Sequence, residues 1–198
     1  MSVKKLITGL TLSMLLASGV ASAADFYKGL DAFNAGNYKN ALAEWTPLAE
    51  QGDVYTQNFL GFTLSNGPDA MRDIKSAVKW YTKAAEQGYS DSQFNLGIMY
   101  DNGKGVPEND KTAVKWTTLA AEQGDGIAQS NLGYMYSKGE GVLTDNRRAY
   151  MWLSLGSYNG SEGTSEYKDK IAKQMTPADI SKAQDMSSRC LESNYTDC

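Results

Sequence analysis

Ala49-Glu50-Gln51-Gly52 returns as Ala85-Glu86-Gln87-Gly88 and again as Ala121-Glu122-Gln123-Gly124, thirty-six residues further on each time. A worn fourth copy ends at Gly160 on the same spacing. Other columns keep the step: Leu60-Gly61, Leu96-Gly97 and Leu132-Gly133; Gly67, Gly103 and Gly139; Ala41, Ala77, Ala113 and Ala149; Trp80, Trp116 and Trp152. Self-similarity at a fixed period of this length marks small supersecondary units stacked in a row, none of which can bury its apolar face alone. Such an array builds a surface for holding something rather than a pocket for chemistry.

Each unit reads as two helices. In residues 90–125, Leu96, Met99 and Tyr100 share one helical face. Asp101-Asn102-Gly103-Lys104-Gly105-Val106-Pro107 then breaks the helix, because Gly and Pro interrupt it. Glu108-Asn109-Asp110 supplies capping side chains for a second helix over Lys111 to Gln123, with Ala113, Val114, Trp116 and Ala120 as its apolar stripe and Gly124 closing it. On this reading Trp80, Trp116 and Trp152 belong to the core. A glycine inside a helix costs about 1 kcal/mol relative to alanine. Its return at Gly61, Gly97 and Gly133 therefore needs a repeated reason, and close approach of the partner helix supplies one.

The pattern Asn95-Leu96-Gly97-x-Met99-Tyr100-x-x-Gly103-x-Gly105-Val106, followed by Ala113-Val114-x-Trp116 and Ala120-Ala121-Glu122-Gln123-Gly124, resembles the Sel1-like repeat family, a branch of the tetratricopeptide-like solenoids. Residues 126–161 repeat it with Asn131-Leu132-Gly133-Tyr134-Met135-Tyr136, Gly139-Glu140-Gly141-Val142 and Ala149-x-x-Trp152. Residues 54–89 keep the Leu-Gly and the Trp80 end but carry Gly67-Pro68-Asp69-Ala70 where the others have Gly-x-Gly-Val. Residues 25–53 form a shorter unit more like an ordinary tetratricopeptide repeat. The resemblance implies an all-α, right-handed α-solenoid of stacked helix-turn-helix repeats, with that first repeat and three 36-residue Sel1-like repeats over 24–161. Residues 162–198 do not read as another copy; they are expected to form C-terminal capping helices and a tail. Tyr167 to Met175 is helical there, and Thr176-Pro177 is an N-cap with proline at the first helical position. A further helix then runs from Ala178 to about Cys190, its polar Lys182, Gln184, Asp185 and Arg189 suited to an end cap.

Lys4-Lys5, the apolar run Leu6 to Leu16 and the small-residue site Ala21-Ser22-Ala23 form the three parts of a secretory signal peptide over residues 1–23. The run is about half of the ~20 residues a membrane span needs. The mature protein is thus expected to be periplasmic or secreted. Its removal takes two of the nineteen basic residues and none of the twenty-three acidic ones, leaving a balance of −6. An acidic chain without basic clusters is a poor nucleic-acid binder. Cys190 and Cys198 are expected to pair in an oxidising compartment; their spacing is not the C-x-x-C of a redox centre or zinc knuckle.

The chain has no histidine, which removes Ser-His-Asp and Cys-His catalysis and histidine-bearing zinc sites. Glu50, Glu86 and Glu122 recur in one column and are read as a solvated face. Asp101-Asn102-Gly103-Lys104-Gly105 is neither an EF-hand nor a Walker loop, and its glycines suit left-handed turns. No catalytic residue, metal or cofactor is expected. The first helices carry the functional promise. If Ala128, Leu132, Met135 and Tyr136 face inward, then Ile127, Ser130, Tyr134 and Ser137 face outward, as do Asp91, Phe94, Ile98 and Asp101, and Tyr55, Asn58, Phe62 and Ser65. Phe62, Ile98 and Tyr134, flanked by Phe94, Tyr55 and Asn58, then form an apolar stripe on the concave face. Either the stripe is exposed and binds a protein or peptide, or neighbouring first helices pack on one another there. The family resemblance implies a non-catalytic interaction scaffold of the bacterial envelope, in regulation, secretion or export assembly, or toxin immunity. The alternative is a β-lactamase-like or penicillin-binding hydrolase of the kind linked to cysteine-rich relatives, whose cysteine pair in each repeat this chain lacks.

Overall fold

The computed structural model describes residues 25–198, so the expected signal peptide lies outside the described residues. Helix follows helix: α1 (residues 25–34), α2 (Tyr38–Glu50), α3 (Val54–Asn66), a 3-10 turn (Asp69–Met71), α4 (Ile74–Glu86), α5 (Ser90–Asp101), α6 (Asp110–Ala121), α7 (Gly126–Lys138), α8 (Asn146–Tyr158), α9 (Thr164–Ala172) and α10 (Pro177–Glu192). Among the described residues there is no strand, and no helix is long and apolar enough to cross a membrane. The helix starts are set by side chains predicted to cap them: Asn109 accepts from Thr112 N–H at 3.0 Å and Thr176 from Asp179 N–H at 3.1 Å. The chain divides into two compact units, one ending at Ala77 and one spanning Val78–Cys198.

The first unit is built around an aromatic centre. Trp45 is fully buried, with the rings of Phe26, Phe33 and Phe59 at 6.2, 5.9 and 5.2 Å. Its indole N–H donates to the Phe26 carbonyl at 3.1 Å. Any side chain at Gly29 would run into that indole, which fixes how closely α1 and α2 approach.

In the second unit the helical glycines do what their recurrence suggested. A Cβ on Gly97 would lie 2.6 Å from Thr117 Oγ1, and one on Gly133 would lie 2.7 Å from Leu153 Cγ and 3.1 Å from the Ala149 carbonyl oxygen. The two helices of each pair touch backbone to side chain at these points. The glycines after the second helices adopt left-handed φ angles (89° at Gly88, 84° at Gly124, 84° at Gly160), so the chain reverses there without a Cβ clash.

One expectation needs correction. Of the tryptophan column only Trp152 is core, at 3% exposure; Trp80 and Trp116 are half-buried, with Lys83 Nζ 4.4 Å and Lys115 Nζ 5.4 Å from their ring centroids. The buried stripe of α6 is Ala113, Thr117, Ala120 and Ala121, and Trp116 flanks it. In α8 the buried set widens to include Tyr150, Met151 and Trp152, because α7, α9 and α10 all pack on that helix.

Residues 162–198 hold α9 and α10, and the burial along them follows that of a repeat pair. Thr164 and Ile171 stand thirty-six residues beyond Ala128 and Met135 and are buried like them. The following turn is shorter by two, so Ala183 and Cys190 stand thirty-four beyond Ala149 and Gly156, again all buried. Lys168 in place of the leucine column, and that two-residue slip, hide the unit from a thirty-six-residue comparison. The helix α9 starts at Thr164 rather than Tyr167. Outward-facing Lys182, Gln184, Asp185 and Arg189 are exposed, as an end cap requires.

Candidate interaction surface

The stripe residues fall into two environments. In the first unit Tyr55 and Phe62, seven residues apart on one face of α3, are 56% and 45% exposed, with Asn58 half-buried between them. The helix α1 packs alongside through Phe26–Phe59 (5.4 Å, edge-on) and Phe33–Phe62 (6.3 Å). Neighbouring first helices therefore do pack through aromatic rings, yet the outer edges of Tyr55 and Phe62 stay in solvent. Tyr27 on α1, which sequence reading passed over, is 61% exposed. Its only signal was an aromatic side chain at the start of a helix.

In the second unit Tyr134 is half-buried, its ring centred 4.3 Å from that of Tyr167 on α9 and packed against the cluster of Ala149, Tyr150, Leu153, Ile171 and Ala183. Ser130 and Ser137, expected to face outward, instead meet α9: Ser130 is buried with its hydroxyl 2.8 Å from that of Thr164, and the Ser137 hydroxyl is 2.8 Å from the Tyr167 hydroxyl. The short helix lies where a further first helix would lie and covers this face. Phe94 is half-buried against the cluster containing Ala128, Leu132 and Trp152, and Ile98 is half-buried. The six residues thus do not share one environment.

A buried glutamine recurs in each repeat at the thirty-six-residue spacing. Gln57, Gln93 and Gln129 are buried, and each donates from Nε2 to a backbone carbonyl eight residues earlier, at Ala49 (2.9 Å), Ala85 (3.1 Å) and Ala121 (3.0 Å). Each amide thereby ties the end of one second helix to the next first helix. In the second unit a further amide closes on each glutamine: Gln123 Nε2 donates to Gln93 Oε1 at 2.7 Å, and Asn159 Nδ2 to Gln129 Oε1 at 2.8 Å. The thirty-six spacing of these glutamines was the available signal.

Electrostatic perturbation is sparse. Burial, reinforced by Asp110 and Glu108, raises the Asp101 carboxyl above the usual carboxylate range. Desolvation also raises the Glu122 carboxyl, although Glu122, like Glu50 and Glu86 of that column, is exposed. Gly103, Gly105, Gly139 and Gly141 all have positive φ, so the two Gly-x-Gly loops are turns in the expected left-handed conformation. Two open hollows lie near the starts of second helices, one of about 580 Å³ beside Asn109 and Leu143 and one of about 460 Å³ beside Asp145 and Gln174. Among the described residues no group of three or more His, Cys, Asp or Glu side chains could hold a metal ion. Cys190 and Cys198 form the expected disulfide, with Cα atoms 4.7 Å apart.

The Sel1 repeat model matches three consecutive stretches, residues 54–89, 90–125 and 126–161. No curated protein matches the chain. Among solved structures, a Sel1 repeat protein from Oxalobacter formigenes aligns with a TM-score of 0.66 at 31% identity, over 70% of this chain and 57% of that one. A protective antigen of uropathogenic Escherichia coli displaying an SLR fold aligns with a TM-score of 0.55 at 26% identity, over 88% of this chain and 47% of that one. This chain thus spans about half the length of both. Helicobacter pylori cysteine rich protein B, at 22% identity and a TM-score of 0.52 over 65% of this chain and 92% of its own, shares the fold. Three adjoining repeats over more than half of its length, on an all-helical frame, make this chain a member of the Sel1 repeat family.

Proposed function

We propose that this protein is an exported, non-catalytic scaffold of the bacterial envelope that holds a protein or peptide segment against the first-helix surface of its N-terminal unit. Sel1 repeat proteins are in general protein-interaction scaffolds, which supports the class. The observation that carries the specific reading is the exposure of Tyr27, Tyr55 and Phe62 within one compact unit. Tyr55 and Phe62, on one face of α3, together present on the order of 200 Å² of aromatic surface. A stable globular interface takes ~800 Å² from each partner, so the patch suits an extended segment or a single helix. Within the second unit the corresponding Tyr134 is covered by Tyr167, so binding is assigned to the α1–α3 side. No geometry among the described residues favours the hydrolase alternative.

Affinity capture from envelope extracts with wild-type protein and the Tyr55→Asp/Phe62→Asp pair tests this reading. The double variant is expected to lose the partner while keeping wild-type helicity, because exposed side chains accept a charge at little cost. Tyr134→Asp is expected to lower the melting temperature, since it sets a carboxylate against Tyr167 and the α8–α9 cluster. Equal capture by wild type and the double variant would remove the patch from consideration. Export has its own check: protein recovered from the periplasm or medium is expected to begin at Ala24, and an intact Met1 on it would contradict the signal-peptide reading.

A further inference from the structure

We propose that the Cys190–Cys198 disulfide is a thiol-sensitive latch that holds residues 193–198 against the end of the second unit, and that its reduction frees this segment without unfolding the helices beneath. The segment is held in a conformation it would not choose alone. Asn194 and Tyr195 both have left-handed φ angles, 52° and 66°, a region that asparagine tolerates but that disfavours a bulky side chain such as Tyr195. Asn194 stands thirty-four residues beyond the left-handed Gly160, so the chain repeats the turn that closes every other second helix but builds it without glycine.

The turn seats Tyr195. Its N–H donates to the Cys190 carbonyl at 2.8 Å, and its hydroxyl donates to Asn159 Oδ1 at 3.1 Å and accepts from Asn159 Nδ2 at 2.8 Å. The ring lies over the Gly124 turn, where a Cβ would sit 3.1 Å from Tyr195 Cε2. It also packs on the cluster of Ala120, Ala121, Trp152 and Cys190. Tyr195 therefore completes the buried amide chain from Gln129 through Asn159 and covers the edge of the core. Beyond it, Thr196 and Asp197 are exposed and bond only back to Ser193. The covalent link returns the far end of the segment, Cys198, to α10.

The two half-cystines are unequal. Cys190 is fully buried in the core, whereas Cys198 is exposed. An external dithiol reaches the Cys198 side: its thiolate forms a mixed disulfide with Cys198 Sγ, the Sγ–Sγ bond breaks, and Cys190 leaves and takes up a proton. The second thiol of the reductant then displaces Cys198 as a thiol and becomes half of the oxidised reductant's own disulfide. Two electrons and two protons are transferred in all. The disfavoured turn is then free to relax, Tyr195 leaves Asn159, and the core edge by Trp152, Met186 and Leu191 opens to solvent.

Hydrogen exchange read by mass spectrometry on the full chain tests this, comparing the oxidised protein, the same protein reduced with dithiothreitol, and Cys198→Ser. Exchange at Tyr195 and across the Gly124 and Asn159 turns is expected to accelerate by about ten-fold or more in both altered forms. Peptides from the middle of α7 and α8 are expected to stay unchanged, and reoxidation should restore the slow rate. Unchanged exchange at Tyr195 in the reduced protein would overturn the latch, since packing alone would then hold the segment. Loss of protection throughout α8 and α10 would overturn it equally, because the disulfide would then be a staple of the fold.

Discussion

Trp152→Ala is expected to destabilise the protein by about 3–5 kcal/mol, the range for removing a fully buried large aromatic side chain. The indole is 3% exposed and belongs to a cluster with Ala120, Ala121, Leu132, Met151 and Leu155, over which Met186 and Leu191 of α10 and Tyr195 of the segment after it close. Its loss undermines α8 and the α10 face packed on it together. A thermal melt followed by circular dichroism should show a fall of about 10 °C or more. Trp116→Ala is the instructive comparison. The same residue type sits in the same repeat column, but there it is half-buried and lies under Lys115. Its replacement is expected to cost about 1–2 kcal/mol, the worth of partial burial and a surface cation–π contact. Equal losses from the two variants would mean that the column, rather than the neighbours each tryptophan has acquired, sets the energy.

Gln129→Leu is expected to cost about 2 kcal/mol, although leucine fills much of the same volume. Gln129 is fully buried, donates to the Ala121 carbonyl and accepts from Asn159. Leucine removes two hydrogen bonds at once, leaving the Ala121 carbonyl with the Gly124 N–H alone and Asn159 Nδ2 with the Tyr195 hydroxyl alone, and each lost bond is worth about 1 kcal/mol. Gln129→Glu sharpens the test. An ionised glutamate keeps the acceptor for Asn159 but cannot donate to the Ala121 carbonyl; a protonated one can. Since protonation is favoured in the folded state, the deficit of this variant should be smallest in acid and grow as pH rises. Urea denaturation at a series of pH values measures it, and a pH-independent deficit would argue against the carbonyl bond as the source.

The contrast between these residues shows what is local in this protein and what is not. The thirty-six-residue step, the apolar faces, the left-handed glycine after each second helix and the capping side chains Asn109 and Thr176 all act within a few residues of themselves, and all were legible. So was the reason for Gly97 and Gly133, because a recurrent cost inside a helix implies a recurrent close approach. The glutamine column was equally present in the sequence, but a polar residue at a buried position becomes meaningful only once the carbonyl it reaches is known. The candidate surface was legible as a set of positions and no further. Tyr55 and Phe62 stay open while Tyr134 is covered, although all three occupy outward places on first helices. The repeat period and the residues in its columns by themselves determined the fold and the family, since short amphipathic units of this kind bury their faces by stacking. Which member of each column is core, which is surface, and that α9 and α10 pack as one more pair, only the tertiary structure decided, because exposure depends on what a neighbour distant in sequence places above a side chain.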